Sequence, residues 1–167
     1  NVFISMDTTQ TNGDEWKLLN AVSGTTSCFQ LKNEDTDEYA IIATETGNIG
    51  IKAQPVSVHT DYSALQVGGQ GLIMSNKASG TDKSTYIGNN VFKHTDGSWD
   101  TIVNDEQSLY EQHGGVHYFY SGAAHASVAT LVTNMKIDIN SRVSLSNNDG
   151  GTQNTVFGHS AGGSLDS

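Results

Sequence analysis

Two strand candidates on either side of a glycine turn decide the fold class of this chain. The stretch reads Gln107-Ser108-Leu109-Tyr110-Glu111-Gln112-His113-Gly114-Gly115-Val116-His117-Tyr118-Phe119-Tyr120. A helical turn could begin at residue 104, but Gly114-Gly115 would stop it at once, so both flanks are predicted to be strands. Period-two alternation then places His117 with Phe119 on one face and Tyr118 with Tyr120 on the other.

The same pattern continues outward from this stretch in both directions. Short runs rich in Val, Ile and aromatic residues alternate with turns rich in Gly, Asn and Asp. Asp96-Gly97, between Phe92 and Trp99, is a typical hairpin turn. The other strand candidates are residues 2–6, 16–22, 27–32, 39–44, 64–67, 71–74, 84–87, 90–94, 98–103, 128–133 and 135–139. The sequence therefore predicts an all-β fold of short-strand meanders or sandwiches in axial series.

The composition agrees with a β-rich chain and excludes several classes of protein. Gly, Ser, Thr and Asn make up 67 of 167 residues, and only 35% of the chain is hydrophobic, against roughly 45–50% in typical domains. Eight Lys and Arg against 18 Asp and Glu leave no basic patch for nucleic acid. No apolar run reaches the length of a membrane span, and the single Cys28 excludes an internal disulfide.

Neither metal ligands nor catalytic groups have a recognisable spacing. His113 and His117 cannot share a helix across the two glycines, and the acidic stretches at 34–38 and 104–106 lack the oxygen pattern of a calcium loop. Gly158-His159-Ser160-Ala161-Gly162 has the Gly-x-Ser-x-Gly form without the strand-to-helix elbow that this motif needs. A pair of glycosidase carboxylates stays open, because any two could converge in the fold. No metal, cofactor or catalytic residue is predicted.

The aromatic residues between 86 and 120 are the best candidates for a binding site. Inward-pointing rings would form core, whereas exposed tyrosine or tryptophan rings would form a platform on which sugars stack. On the second interpretation the predicted carbohydrate- or receptor-binding residues are Trp99, Tyr110, Tyr118 and Tyr120.

Several motifs resemble those of bacteriophage tail fibre proteins, many of them marine. Glu45-Thr46-Gly47-Asn48-Ile49-Gly50-Ile51 resembles their recurrent Ser-Gly-Asn-Val-Gly-Ile-Gly motif, and residues 135–138 resemble their closing strand. Asn154-Thr155-Val156-Phe157-Gly158-His159-Ser160-Ala161-Gly162 resembles the repeats of β-roll stalks, also seen in trimeric adhesin heads. Further blocks at 59–69, 88–92, 96–99, 110–112 and 115–119 follow in the family's order. At 140–145 the usual glycines are missing.

The resemblance implies a segment of a homotrimeric fibre whose three chains lie side by side or are intertwined. The fibre would be part of a virion, outside cells, and would bind other tail proteins and a host surface polysaccharide or protein receptor. It carries over no catalytic residue. The alternatives are a trimeric bacterial surface adhesin and a tailspike that depolymerises glycans. Both ends of the chain look like cuts through a longer polypeptide. We expect a first β unit at 1–51, a linker and connecting strand at 52–70, a second β unit at 71–146 and a β-roll-like start at 147–167.

Overall fold

The fold is all-β, as predicted. A computed structural model describes residues 4–6, 16–23, 26–33, 35–140 and 143–145. No helix that could span a membrane occurs among these residues. The strands are β1 (Ile4–Met6), β2 (Trp16–Ser23), β3 (Thr26–Asn33), β4 (Glu38–Thr44), β5 (Ile49–Ile51), β6 (Tyr62–Val67), β7 (Gly71–Asn76), β8 (Ser84–Asn89), β9 (Phe92–Lys93), β10 (Trp99–Asp100), β11 (Asp105–His113), β12 (Val116–His125), β13 (Val132–Ile137) and β14 (Val143–Leu145).

Twelve of these strands form one long sheet in which spatial order follows chain order. The order is β1 to β8 and then β11 to β14, while β9 and β10 pair separately as a small hairpin. Neighbouring strands are antiparallel except β5 and β6, which are parallel. Because parallel strands need a crossover connection, residues 52–61 leave the sheet between them. The sheet continues across this connection, so strands of both predicted β units belong to it.

Most predicted strands occur where the pattern placed them. The turn at Gly114-Gly115 has φ values of 56° and 78°, the paired positive φ angles of a type I′ hairpin. The Asp96-Gly97 turn joins β9 to β10, as predicted. The prediction of separate strands at 128–133 and 135–139 was wrong, because one strand, β13, occupies Val132–Ile137. Residues 126–131 instead cross the sheet, and Ala129 donates its N–H to the Trp99 carbonyl at 3.1 Å.

One side of the sheet, here called the covered face, carries a second thin layer. This layer consists of residues 52–61, the β9–β10 hairpin and residues 126–131, linked by the bridges Val58–His94 and Asp100–Val128. Leu72, Met74 and Leu109 of the sheet are buried beneath it. The core cluster comprises Val58, Ala64, Leu72, Met74, Tyr86, Val91, Phe92, Leu109 and Ala129. The opposite side, here called the open face, has no such layer in the described part of the chain.

Glycine on the covered face lets the second layer approach the sheet closely. A Cβ atom added at Gly50 would collide with the Ala53 carbonyl oxygen and lie 2.9 Å from Pro55 Cδ. Such distances lie far inside van der Waals contact. Gly50 therefore positions residues 53–55 directly on β5, and it belongs to the motif that carried the family resemblance.

Buried amide side chains hold the connections in place. Gln66, which is 3% exposed, accepts the Val56 N–H at 2.9 Å and donates to the carbonyls of Gly68 and Gly69. Asn48 accepts the Ala64 N–H at 3.1 Å. Since a buried polar group must be paired, these amides account for part of a composition that is poor in apolar residues.

Candidate functional site

Three of the four predicted binding residues lie on the covered side of the sheet. Trp99 is on β10 in the second layer, whereas Tyr118 and Tyr120 lie on the sheet strand β12. Trp99 and Tyr120 pack against the core cluster, and all three side chains keep intermediate exposure. Trp99 and Tyr120 are therefore held against the core while part of each side chain remains accessible to solvent.

Trp99 is held between an aromatic ring and a cation. Its ring meets the Tyr86 ring edge-on, with centroids 5.1 Å apart and planes at 78°, a preferred geometry for aromatic pairs. The Lys93 ammonium lies 4.8 Å from the Trp99 ring centroid, close enough for a cation–π interaction. Because β9 and β10 pair Trp99 with Lys93 directly, the hairpin itself sets this contact.

Tyr118 and Tyr120 form the second aromatic pair. Their rings stack at a centroid distance of 5.9 Å with planes 20° apart, so the predicted alternation along β12 is confirmed. The Lys136 ammonium of β13 lies 5.5 Å from the Tyr118 centroid. Trp99 and the Tyr118–Tyr120 pair thus each have one lysine ammonium beside an aromatic ring.

The Glu111 carboxylate, which was not among the predicted site residues, forms hydrogen bonds next to these rings. Glu111 accepts hydrogen bonds from the Tyr120 hydroxyl at 2.7 Å and from the Ser84 hydroxyl at 3.0 Å. Ser84 Oγ also lies 2.6 Å from His113 Nδ1. The Glu111 side chain is 15% exposed, so it is largely desolvated and oriented by two hydroxyl donors.

Two tyrosines at this site, Tyr120 and Tyr86, are held in their neutral form. Burial raises the pKa of Tyr120 well above its ordinary value, and the hydrogen bond to Glu111 raises it further. Burial likewise raises the pKa of Tyr86. Both hydroxyls therefore remain hydrogen-bond donors at any physiological pH. We call the set Trp99, Tyr118, Tyr120 and Glu111 the aromatic–carboxylate patch.

Tyr110, the fourth predicted residue, lies apart from this patch on the open face. Its ring stacks on His117 at 5.9 Å with planes 10° apart and contacts Phe119 at 4.9 Å. Its hydroxyl bonds to His117 Nδ1 and accepts a hydrogen bond from Gln112 Nε2 at 3.0 Å. Successive residues of β11 point to opposite faces, which separates Tyr110 from Glu111.

The register of one hairpin held the signal for Glu111. A two-residue turn at Gly114-Gly115 pairs His113 with Val116 and so, counting outward, Glu111 with Tyr118. Glu111 therefore had to share a face with Tyr118 and Tyr120. The contact between Trp99 and Tyr86 depends on how the second layer folds over β8, and no local pattern contains that information.

The histidines and acidic residues do not converge on a metal site in the described part of the chain. No group of three or more His, Cys, Asp or Glu side chains that could hold a metal ion occurs there.

Two residues of the acidic stretch at 34–38 form ion pairs. Asp37 contacts Lys32, and Glu38 pairs with Lys52 at 2.7 Å. These acidic groups line a cavity of about 330 Å³ with Tyr39 and residues 52–54. The serine motif at 158–162 and the β-roll-like stretch at 147–167 lie outside the described residues.

Comparisons with known proteins find no relative of this chain. No family model matches it, and neither the curated proteins nor the solved structures contain a significant match.

Proposed function

We propose that this chain is a structural segment of a virion appendage of the phage tail fibre type, which attaches the particle to a glycan on the host cell surface. The observation that carries the proposal is the aromatic–carboxylate patch. Trp99 and Tyr120 pack against the core cluster, Tyr118 stacks on Tyr120, and all three side chains keep intermediate exposure. The order of the family-like motifs and a composition rich in Gly, Ser, Thr and Asn support the fibre role.

The chemistry of the patch suits a neutral or weakly charged sugar. The C–H groups of a pyranose ring pack on aromatic faces, and Trp99 and Tyr118 supply such surface. Glu111 and the Tyr120 hydroxyl supply oriented polar groups for sugar hydroxyls. A few fixed polar groups among aromatic side chains are typical of small-ligand sites. Lys93 and Lys136 could pair with an acidic substituent of the glycan.

The fibre role includes self-association into a homotrimer and contact with other tail proteins. A chain with a small hydrophobic core buries more apolar surface when several copies pack their strands together. Binding is proposed to be non-catalytic, since neither the resemblance nor the patch assigns a role in bond cleavage to any residue. The proposed location is the virion surface, outside cells.

Binding of a soluble oligosaccharide tests the patch separately from assembly. We expect Tyr118→Ala to weaken binding of a host-surface oligosaccharide by roughly tenfold. The guide is the stacking of a nucleic-acid base on one aromatic side chain, which contributes about 1–3 kcal/mol. Tyr39→Ala is the matched control, because the Lys32 ammonium lies 5.6 Å from the Tyr39 ring. That distance matches the one between Lys136 and Tyr118.

The measurement is titration calorimetry against a panel of bacterial surface glycans, preceded by adsorption to whole cells. Equal losses in the Tyr118 and Tyr39 variants, or no binding of any glycan by the wild-type chain, would remove the support for an attachment site. Release of shorter oligosaccharides during incubation would instead identify a depolymerase. A membrane-anchoring domain in the same full-length polypeptide would identify an adhesin.

A further inference from the structure

The open face carries a continuous row of apolar side chains that runs across the strands. Register pairs connect it step by step from Phe29 on β3, through Ile49, Ile73, Ile87 and Phe119, to Met135 on β13. Residues paired directly across strands share a face. Nine strands at a spacing of about 4.8 Å make this row about 38 Å long.

The row is exposed to an extent that is unusual for large apolar side chains. Phe29, Ile49, Ile73, Ile87 and Phe119 retain between 37% and 50% of their surface. On the covered face, by contrast, Leu72 and Met74 of the same strand β7 are 4% and 1% exposed. One strand therefore offers apolar residues in both directions, as strands do when both faces of a sheet are packed.

Charge is absent from the centre of this face. The strand residues that form the row between β3 and β13, and those two positions before or after them on the same strands, include no Asp, Glu, Lys or Arg. The chain as a whole carries 26 such residues and a net charge of −10. Charges thus lie outside this central band, which favours close approach of two equally charged molecules.

The dimensions of the band match an interface between proteins. The band consists of the apolar row together with the next same-face residue before and after each member on its strand. It covers roughly 38 by 20 Å, or about 760 Å². The flanking positions are mostly Ser, Thr, Asn, Gln and Gly, so the band is an apolar row with uncharged polar margins. A standard interface takes about 800 Å² from each partner and is only a little more than half non-polar, which agrees with a band of this size and composition. A partner that covers the band must itself be flat, uncharged and about as long, and a second copy of this chain meets all three conditions.

We infer that copies of this chain associate through the open face, with the apolar row of one sheet packed against the row of the next. Sheets pack face to face at about 10 Å, with side chains from the two inner faces interdigitating. Identical rows can pack on one another across a two-fold axis, or three of them can face a common three-fold axis, as the proposed homotrimer requires. The inference names the surface for the self-association that the proposed function includes, and it rests on that part of the proposal. It does not depend on the attachment role proposed for the covered side.

A charge placed in the row tests the inference. In sedimentation equilibrium of the full chain, we expect Ile87→Lys to raise the dissociation constant of the oligomer at least tenfold. Val128→Lys, the control, should leave it unchanged. Ile87 and Val128 are 50% and 52% exposed, but Val128 lies in the second layer above the covered face. A wild-type chain that is monomeric at 100 μM, or equal effects of both substitutions, would overturn the inference.

Cross-linking gives a second test that does not depend on a destabilising charge. The one native cysteine, Cys28, is buried at 4% exposure, so Ile87→Cys introduces a single accessible thiol. A short bismaleimide should then join Ile87→Cys copies into covalent dimers at a protein concentration where Val128→Cys stays uncoupled. Failure of Ile87→Cys to cross-link, while the wild-type oligomer persists, would place the interface elsewhere and refute the inference.

Discussion

Asn90 is the residue whose replacement we expect to test the architecture most directly. It is completely buried and has a φ of 59°. Its amide donates to the carbonyls of Val103, Asp105 and Glu106 at 3.0–3.2 Å, and its Oδ1 accepts the Val103 N–H at 2.8 Å. One side chain therefore fastens the connection after β10 to the end of β8.

The expected loss follows from these contacts. The two Nδ2 hydrogens are shared among three carbonyls and count as two hydrogen bonds, and Oδ1 accepts a third. Each bond contributes about 1 kcal/mol net. Asn90→Gly removes them but keeps the backbone unstrained, so we expect a loss of about 3 kcal/mol. Asn90→Ala adds the cost of a left-handed conformation, about 1 kcal/mol or more, for a total of about 4 kcal/mol. Asn89→Ala, at an exposed neighbour, should change stability by less than about 0.5 kcal/mol.

Equilibrium urea unfolding, followed by tryptophan fluorescence at one fixed protein concentration, measures these differences. The order of stability should be wild type, Asn90→Gly, then Asn90→Ala. An Asn90→Ala variant within 1 kcal/mol of wild type would show that the amide network does not hold the connection. An Asn90→Gly variant less stable than Asn90→Ala would refute the argument from φ.

Three further predictions concern single positions. Gly50→Ala should destabilise the chain by about 1–3 kcal/mol in the same assay, because its Cβ would displace the Ala53 carbonyl; unchanged stability would mean that the second layer is not seated on β5. The contribution of Tyr120 to the free energy of unfolding should be constant from neutral pH to about pH 10 and fall above it. The reason is that the unfolded chain ionises Tyr120 before the folded chain does; Tyr120→Phe should flatten this decline, and an equally steep decline would argue against the burial of Tyr120 and its contact with Glu111. Gly114→Asn should leave the melting temperature nearly unchanged and Gly114→Val should lower it, since the turn needs positive φ; equal effects would exclude a type I′ turn.

The strands of the sheet were predictable because their signals are local. Glycine pairs such as Gly114-Gly115 mark turns, and alternation along a strand such as β12 assigns its faces. The merging of two predicted strands into β13 was not predictable, because residues 126–131 are diverted by hydrogen bonds to β10, which is 30 residues away in the chain. Such tertiary contacts override local β-propensity.

The candidate site was predicted only in part for the same reason. Tyr118 and Tyr120 were correctly placed together, since both lie on one strand. Trp99 lies on the same side of the sheet because the second layer places it there. Tyr110 lies on the other side because successive residues of a strand, here Tyr110 and Glu111, point to opposite faces. Aromatic content pointed to the stretch of chain that contains the candidate site, but the choice of face required the register of β11 against β12.

The chain-ordered sheet also has a mechanical consequence. In the main sheet each strand pairs with its neighbours in chain order, apart from the detour through β9 and β10. A force along the apolar row pulls across the ladders and would open them one after another, like a zipper, whereas a force along the strands must shear a whole ladder at once. In a filament with this row along its axis, one sheet alone would therefore resist stretching poorly. Contacts with the copies packed beside it would have to resist part of the stretching force.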